Sequence, residues 1–153
     1  MKNLSLSVLA VFAIVASFNA CRTIPSAEVN YLSGNEGAVT VRAVGIGKDK
    51  ERAILNAEQK VFDVLFFRGL PESMQKLPLI GSNETDEKAK HKKYFEEFYE
   101  KQRHRSFIMS SVPVTSLAKY RNGQKTITVD VKVNLNALRR DLETSGIVRR
   151  FGF

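Results

Sequence analysis

The only thiol in the chain belongs to Cys21, and its surroundings indicate which chemistry it can undergo. A single cysteine cannot form a disulfide within the chain, which leaves modification or a free thiol. Lys2 precedes a mainly apolar run over residues 4–18, and the small residue Ala20 comes directly before the cysteine. This order is typical of an exported protein, so we predict that residues 1–20 are a signal peptide.

The segment around Cys21 resembles that of bacterial lipoproteins, in which the cysteine after the apolar run is lipidated and becomes the mature N-terminus. Phe18 and Asn19 stand where those proteins usually have an aliphatic and a small residue. The resemblance implies that fatty acid such as palmitate modifies Cys21. It also implies a lipid anchor in the cell envelope, at the outer membrane and facing the periplasm. The alternative is cleavage near Ala16 and Ser17, which would leave Cys21 as a free thiol in an oxidising compartment.

Two histidines each follow a glutamate by four residues, the spacing that places both side chains on one helical face. The pairs are Glu87 with His91 and Glu100 with His104. A metal site needs more than two ligands, and the two pairs lie too far apart along one helix to share an ion. We therefore predict no metal site, and interpret both pairs as solvated contacts on a helix surface.

Gly45 and Gly47 lie between a predicted strand and a predicted helix, where glycines can cradle a phosphate. The dinucleotide fingerprint requires a third glycine at the position of Lys50, and a phosphate-binding loop requires Ser or Thr at the position of Asp49. Both patterns fail. We predict a tight turn that brings the helix close to the strand, and no cofactor.

Catalysis would require residues that the sequence does not group together. It contains no serine or cysteine nucleophile with a spaced base and no carboxylate pair in one apolar pocket. A hydrolase with a dispersed site, built from residues such as Asp130, Lys132 and His104, is the alternative, and only the availability of these residues supports it. We predict that the protein is not an enzyme.

The formal net charge of +8 favours anionic partners outside the cytoplasm, such as anionic lipid, lipopolysaccharide or an acidic polymer, rather than nucleic acid. It is equally consistent with a role in solubility alone. A cluster of cations lies within the predicted second helix, and we interpret it as a possible site for an anionic ligand. Its members are Lys88, Lys90, Lys92, Lys93, Arg103 and Arg105.

The element that organises the domain is a predicted helix from Asp49 to Phe67. Ala53, Ala57 and Val61 recur at intervals of four, which places them on one face, and this face needs a sheet to cover. Asp49 is the predicted N-cap, and a glycine with a proline follows the last turn. Phenylalanines make the last turns apolar nearly all round, so a second element must cover them.

That cover is predicted to be a second helix over residues 86–105, whose aromatic residues cluster on one side. Before the first helix, residues 38–47 alternate between apolar and polar side chains, as a strand does. Residues 21–37 are small and polar, and we interpret them as the lipidated N-terminus and a flexible tether. Residues 38–153 would then form a single domain.

The pair Asn122-Gly123 predicts a two-residue hairpin turn between two strands. Pairing Arg121 with Gln124 would place Ile127 opposite Ala118, and would continue until Leu135 faces Ser110. The apolar residues of the second strand would then share one face. Pro113 cannot donate to a ladder, so its strand is predicted at the sheet edge or at a bulge. A short helix over residues 137–144, capped by Asn136, would follow.

Together these elements predict an α+β fold in the order β-α-α-β-β-α, with two longer helices on a sheet of about three strands, antiparallel or mixed. The glycine-ended strand, the alanine-striped helix and the late hairpin resemble LPP20-like lipoproteins and the related domain of flagellar-assembly and TolB-like envelope proteins. The resemblance covers residues 38–61 and 112–135, and the helix over 86–105 lies outside it. It implies a lipid-anchored envelope protein that binds or assembles with other envelope components.

Overall fold

A five-stranded antiparallel sheet carries the fold, and one of its faces is covered by helices. The computed structural model describes residues 29–35 and 37–149. The strands are β1 (Val29–Asn35), β2 (Ala38–Gly47), β3 (Ile108–Pro113), β4 (Ala118–Lys119) and β5 (Lys125–Asn134). The helices are α1 (Lys50–Phe67), α2 (Glu84–Lys90), α3 (Lys92–Tyr99) and α4 (Leu135–Thr144), and a 3₁₀ helix spans Arg103–Phe107. The predicted α+β class is confirmed, although the described chain forms more strands and helices than predicted.

The centre of the sheet is the antiparallel pair of β2 and β5. Val41 lies opposite Val131 and Ala43 opposite Val129, and all four side chains are fully buried. The alternating residues of both strands point to the other face and remain partly or fully exposed. The predicted apolar face of β5 is therefore confirmed from Ile127 to Val133.

Helix α1 lies on this buried face, as its alanine stripe predicts. The side chain of Asp49 caps the helix by accepting a hydrogen bond from the backbone N–H of Arg52 at 2.8 Å. Helix and strand approach so closely that a Cβ on Gly45 would lie 1.8 Å from the carbonyl oxygen of Ala53. The structural role predicted for this glycine is confirmed: it permits close packing.

The prediction of one continuous second helix is wrong. His91 leaves helical geometry and separates α2 from α3, and Gln102 adopts a positive φ of 54° before the 3₁₀ helix. The break separates two different environments, because α2 buries no residue whereas α3 buries Phe95 and Phe98. The predicted aromatic cover is confirmed: the ring of Phe98 lies 5.1 Å from that of Phe62 on α1.

The predicted hairpin register is also wrong. Arg121–Gly123 form a 3₁₀ turn, and Ala118 lies opposite Thr126 rather than Ile127. The register is shifted further where β3 pairs with β5, since Pro113 lies opposite Val129 there. The longer turn and the unpaired residues between β3 and β4 absorb the offset, so the pattern in β5 survives while its partners change. The edge position predicted for Pro113 is confirmed, since β3 ends the sheet order β1-β2-β5-β3.

Part of the predicted tether belongs to the sheet. Val29–Asn35 form β1, which pairs with β2 and shifts register between Tyr31 and Ser33. Val29 and Tyr31 pack against the core, and these two side chains explain why the segment is ordered despite its polar composition. The last helix also begins earlier than predicted, because the side chain of Asn134 caps α4 by accepting from the N–H of Ala137 at 2.9 Å.

Candidate functional site

The predicted signal peptide and Cys21 lie outside the described residues. Within the part that the structure describes, no helix is long and apolar enough to span a membrane. That part also contains no group of three or more His, Cys, Asp or Glu side chains that could hold a metal ion.

The predicted cluster of six cations is divided by the fold. Lys88 Nζ lies 3.0 Å from Asp63 Oδ1 on α1 and 2.7 Å from Glu84 Oε1. It also lies over the rings of Phe67 and Tyr99, at 5.3 and 5.2 Å from their centroids. These contacts attach α2 to α1, so Lys88 serves the packing of the domain.

Two further members of the cluster hold the 3₁₀ helix in place. Arg103 Nη1 donates to Asp141 Oδ1 on α4 at 2.8 Å, and the hydroxyl of Tyr94 donates to the other oxygen at 2.7 Å. Burial and the neighbouring Asp141 raise the pKa of Tyr94 above its ordinary value, so it remains a donor. Arg105 Nε donates to Glu58 Oε2 on α1 at 3.0 Å.

The remaining members, Lys90, Lys92 and Lys93, surround a shallow depression at the junction of α2 and α3. Lys92 lies 3.6 Å from Glu96. Lys90 and Lys93 are exposed and form no ion pair with other residues in the described ranges 29–35 and 37–149. This half of the predicted cluster therefore stays available to an anionic ligand.

The three residues of the dispersed hydrolase site do not form one site. Asp130 lies on the open face of the sheet, where it accepts two hydrogen bonds from Arg42 at 2.7 and 2.8 Å. His104 is on the helix-covered side, with its ring 5.7 Å from the ring of Phe62. Lys132, opposite Ser110, alternates with the buried valines of β5 and so shares the open face with Asp130.

A buried polar cluster instead joins α1 to the 3₁₀ helix. His104 is fully buried and Glu58 is 4 % exposed, so the interpretation of His104 as a solvated partner of Glu100 is wrong. His104 Nδ1 lies 3.0 Å from the carbonyl oxygen of Phe98 and must carry a proton, because a carbonyl only accepts. Its Nε2 lies 3.8 Å from Glu58 Oε2.

This cluster contains the residue types of acid–base chemistry, but it is closed. Arg105 is half-exposed and covers the Glu58 carboxylate, while the imidazole of His104 has no exposed surface. A general base must come within hydrogen-bond reach of a substrate, and this one does not. The cluster fixes two elements together, and Glu58 could have been suspected because it lies four residues before Phe62 on the aromatic side of α1.

The two most exposed large apolar side chains of the described residues lie on the loop over residues 70–80 that follows α1. Met74 is 96 % exposed and Leu77 is 75 % exposed, although both are large and apolar. Backbone hydrogen bonds hold the loop at both ends, from Leu70 N–H to the Gln75 carbonyl at 2.7 Å and from Leu79 N–H to the Leu65 carbonyl at 2.9 Å. The exposure of the two apolar side chains is therefore a property of an ordered loop.

Two grooves lie between this loop and its neighbours, one against α4 and one against the β1–β2 turn. They have volumes of about 480 and 340 Å³, and Arg139 separates them by donating to the side chain of Gln75 at 2.8 Å. We call this loop and its two grooves the loop surface. Its charged residues are Lys76, Arg139, Glu143 and Arg149, which line the grooves, and Glu72 on the loop.

The loop surface combines apolar side chains with a local excess of positive charge, which suits an amphiphilic and anionic partner better than a small neutral ligand. The sequence predicts that this segment is a loop pinned to the core by Leu77, Leu79 and Ile80. Leu79 and Ile80 pack against the core, whereas the prediction is wrong for Leu77, which is 75 % exposed. The chain matches no known protein-family model, and comparison with curated proteins and with solved structures gives no match.

Proposed function

We propose that the protein is a lipid-anchored component of the cell envelope with a non-catalytic binding or assembly role. Cys21 is the anchor, at the outer membrane and on the periplasmic side, and the domain after it presents a binding surface. The apolar run before Cys21 supports export, and the resemblance to lipoproteins supports the modification of the thiol.

The observation that carries the binding role is the exposure of Met74 and Leu77 on a hydrogen-bonded loop beside two grooves. An ordered monomer gains nothing in stability from placing such side chains in water, and exposed apolar groups rimmed by polar ones are typical of interaction sites. The closed Glu58–His104 pair supports the same conclusion, because these two acid–base residues are not accessible to a substrate.

Metabolic labelling tests the anchor. Cells that produce the full chain are fed a clickable palmitate analogue, and the chain with Cys21→Ser serves as the matched control. We expect label on the unmodified chain, none on the variant, and a lipidated Cys21 at the mature N-terminus by mass spectrometry. Equal labelling of both chains, or an unlabelled chain that begins near Ser17, would contradict the proposal.

A second candidate function is the binding of lipopolysaccharide or other anionic lipid through the exposed lysines at the junction of α2 and α3. The observation that favours it is the set of Lys90, Lys92 and Lys93 around one depression, which remains after Lys88, Arg103 and Arg105 have been used in packing. Binding of this kind would weaken strongly with salt.

A further inference from the structure

We propose that the loop surface docks on the membrane itself, with Met74 and Leu77 inserted among anionic phospholipids at the bilayer interface. This inference rests on the proposed function, because it takes the lipid anchor as given. Beyond the anchor, it specifies which face of the domain is turned toward the bilayer.

The apolar part of the contact comes from two side chains only three residues apart. Met74 and Leu77 are both mostly exposed, and Pro71 and Pro78 restrict the backbone on either side. Moving such side chains from water into the interface is favourable in proportion to the apolar surface that is removed from water. Because the loop is already ordered, little conformational entropy opposes this insertion.

The charges around the two side chains fit an anionic bilayer. Lys76 lies between them in the sequence, and Arg139 and Arg149 line the adjacent grooves. These three cations exceed the two acidic residues of the surface, Glu143 in a groove and the exposed Glu72 on the loop. Cations near an anionic membrane surface strengthen the attachment to it. Apolar insertion and electrostatic attraction therefore act at the same place.

The position of the anchor agrees with this orientation. The described chain begins at Val29, which lines a concave surface together with Leu70, Pro71 and Glu72, the residues that lead into the loop. However residues 21–28 are arranged, eight residue steps separate Cys21 from Val29 and span at most about 29 Å. A lipid on Cys21 thus holds Val29, and the start of the loop beside it, within about 29 Å of the anchor, which is compatible with the loop facing the bilayer.

The chain contains no tryptophan, so a single introduced tryptophan reports its own environment. Met74→Trp and Leu77→Trp are the test variants, and Met109→Trp, 56 % exposed on the edge strand β3, is the matched control. Each full chain is isolated in the form that the cell makes. It is reconstituted in vesicles of phosphatidylcholine and phosphatidylglycerol, in which part of the phosphatidylcholine carries brominated acyl chains.

We expect bromolipid quenching at positions 74 and 77 that is several-fold stronger than at position 109, together with a blue shift of emission. Lys76→Glu with Arg149→Glu should reduce that quenching, and Lys48→Glu with Lys119→Glu, which change the charge equally elsewhere, should not. Equal quenching at all three positions would overturn the inference. So would emission from position 74 that is already blue-shifted without vesicles, because a second copy or another part of the chain would then cover the loop.

The inference and the proposed function fail in different ways. A chain that is labelled by palmitate but shows no preferential quenching keeps its anchor and loses the docking face. A chain without label whose tryptophans at positions 74 and 77 are still quenched binds lipid through the loop surface alone, and the anchor is then the part that is wrong.

Discussion

The imidazole of His104 and the carboxylate of Glu58 face each other inside the domain, with 3.8 Å between Nε2 and Oε2 and no more than 5 % of either side chain exposed. Glu58 belongs to α1 and His104 to the 3₁₀ helix, so this contact joins elements that are far apart in sequence. Arg105 completes the cluster at 3.0 Å from the same carboxylate oxygen. An ionised carboxylate can remain in this interior because the guanidinium of Arg105 compensates for its lost hydration.

Glu58→Gln tests this compensation. Burial alone would raise the pKa of Glu58, but polar contacts with His104, Ser111 and Arg105 outweigh burial and hold the pKa below its usual value. At neutral pH we expect the substitution to lower the free energy of unfolding by about 1–3 kcal/mol, measured by urea denaturation.

The same pKa shift predicts how this loss depends on pH. A carboxylate with a lowered folded pKa contributes stability above the unfolded pKa of about 4.3, and this contribution is lost as pH falls through the folded pKa. The difference between the unmodified chain and Glu58→Gln should therefore shrink in acid. Glu51→Gln, in the exposed first turn of α1, is the control and should change stability by less than about 0.5 kcal/mol. A difference that stays constant from neutral to acid pH would contradict the expectation.

Gly45→Ala tests the close approach of α1 to β2. The added methyl group would lie 1.8 Å from the backbone carbonyl oxygen of Ala53, so a strand or a helix must move. We expect a loss of about 3 kcal/mol or more in the free energy of unfolding. Gly81→Ala is the control, because its methyl group would meet only the side chain of Glu87, at 4.0 Å. Similar stability of the two variants would show that the helix does not pack as closely as described.

A double-mutant cycle on Arg103 and Asp141 tests the link between the 3₁₀ helix and α4. Their side chains are 31 % and 24 % exposed and 2.8 Å apart, and we expect Arg103→Met and Asp141→Asn to be coupled by about 1–2 kcal/mol. The exposed pair Lys101 and Glu97, 3.6 Å apart on the surface, should be coupled by no more than about 0.5 kcal/mol. Equal coupling energies in the two cycles would remove the structural role assigned to Arg103.

Lys90→Glu with Lys93→Glu tests the second candidate function. Both side chains are exposed, so the variant should fold normally and should lose binding to lipopolysaccharide or anionic lipid by about tenfold or more at low salt, measured by co-sedimentation. High salt should weaken binding of the unmodified chain as well. Lys48→Glu with Lys119→Glu provides the same change of net charge elsewhere. Binding that is insensitive to salt, or lost equally in both variants, would exclude a specific site at these lysines.

Burial that depends on local periodicity could be predicted from the sequence alone. The stripe of Ala53, Ala57 and Val61 and the alternation through β5 each repeat over many residues, so one side of each element had to be apolar and buried. The N-cap Asp49 and the glycine at the strand end act within a few residues of their own position. These features predicted α1, β2 and the core face of β5 correctly.

Features that depend on contacts between residues far apart in the chain could not be predicted from the sequence. The hairpin register followed the longer turn and the shift before β3, which no pattern within β5 records. The segment of β1 became a strand because β2 offers it an edge to pair with and because Val29 and Tyr31 pack against the core. Three of the six clustered cations form ion pairs with carboxylates on α1, α2 and α4. The lysines at the α2–α3 junction therefore remain available to partners, as does the exposed loop surface. Local patterns report which side chains avoid water, whereas the pairing of charges and the exposure of Met74 and Leu77 depend on which distant elements the folded chain brings together.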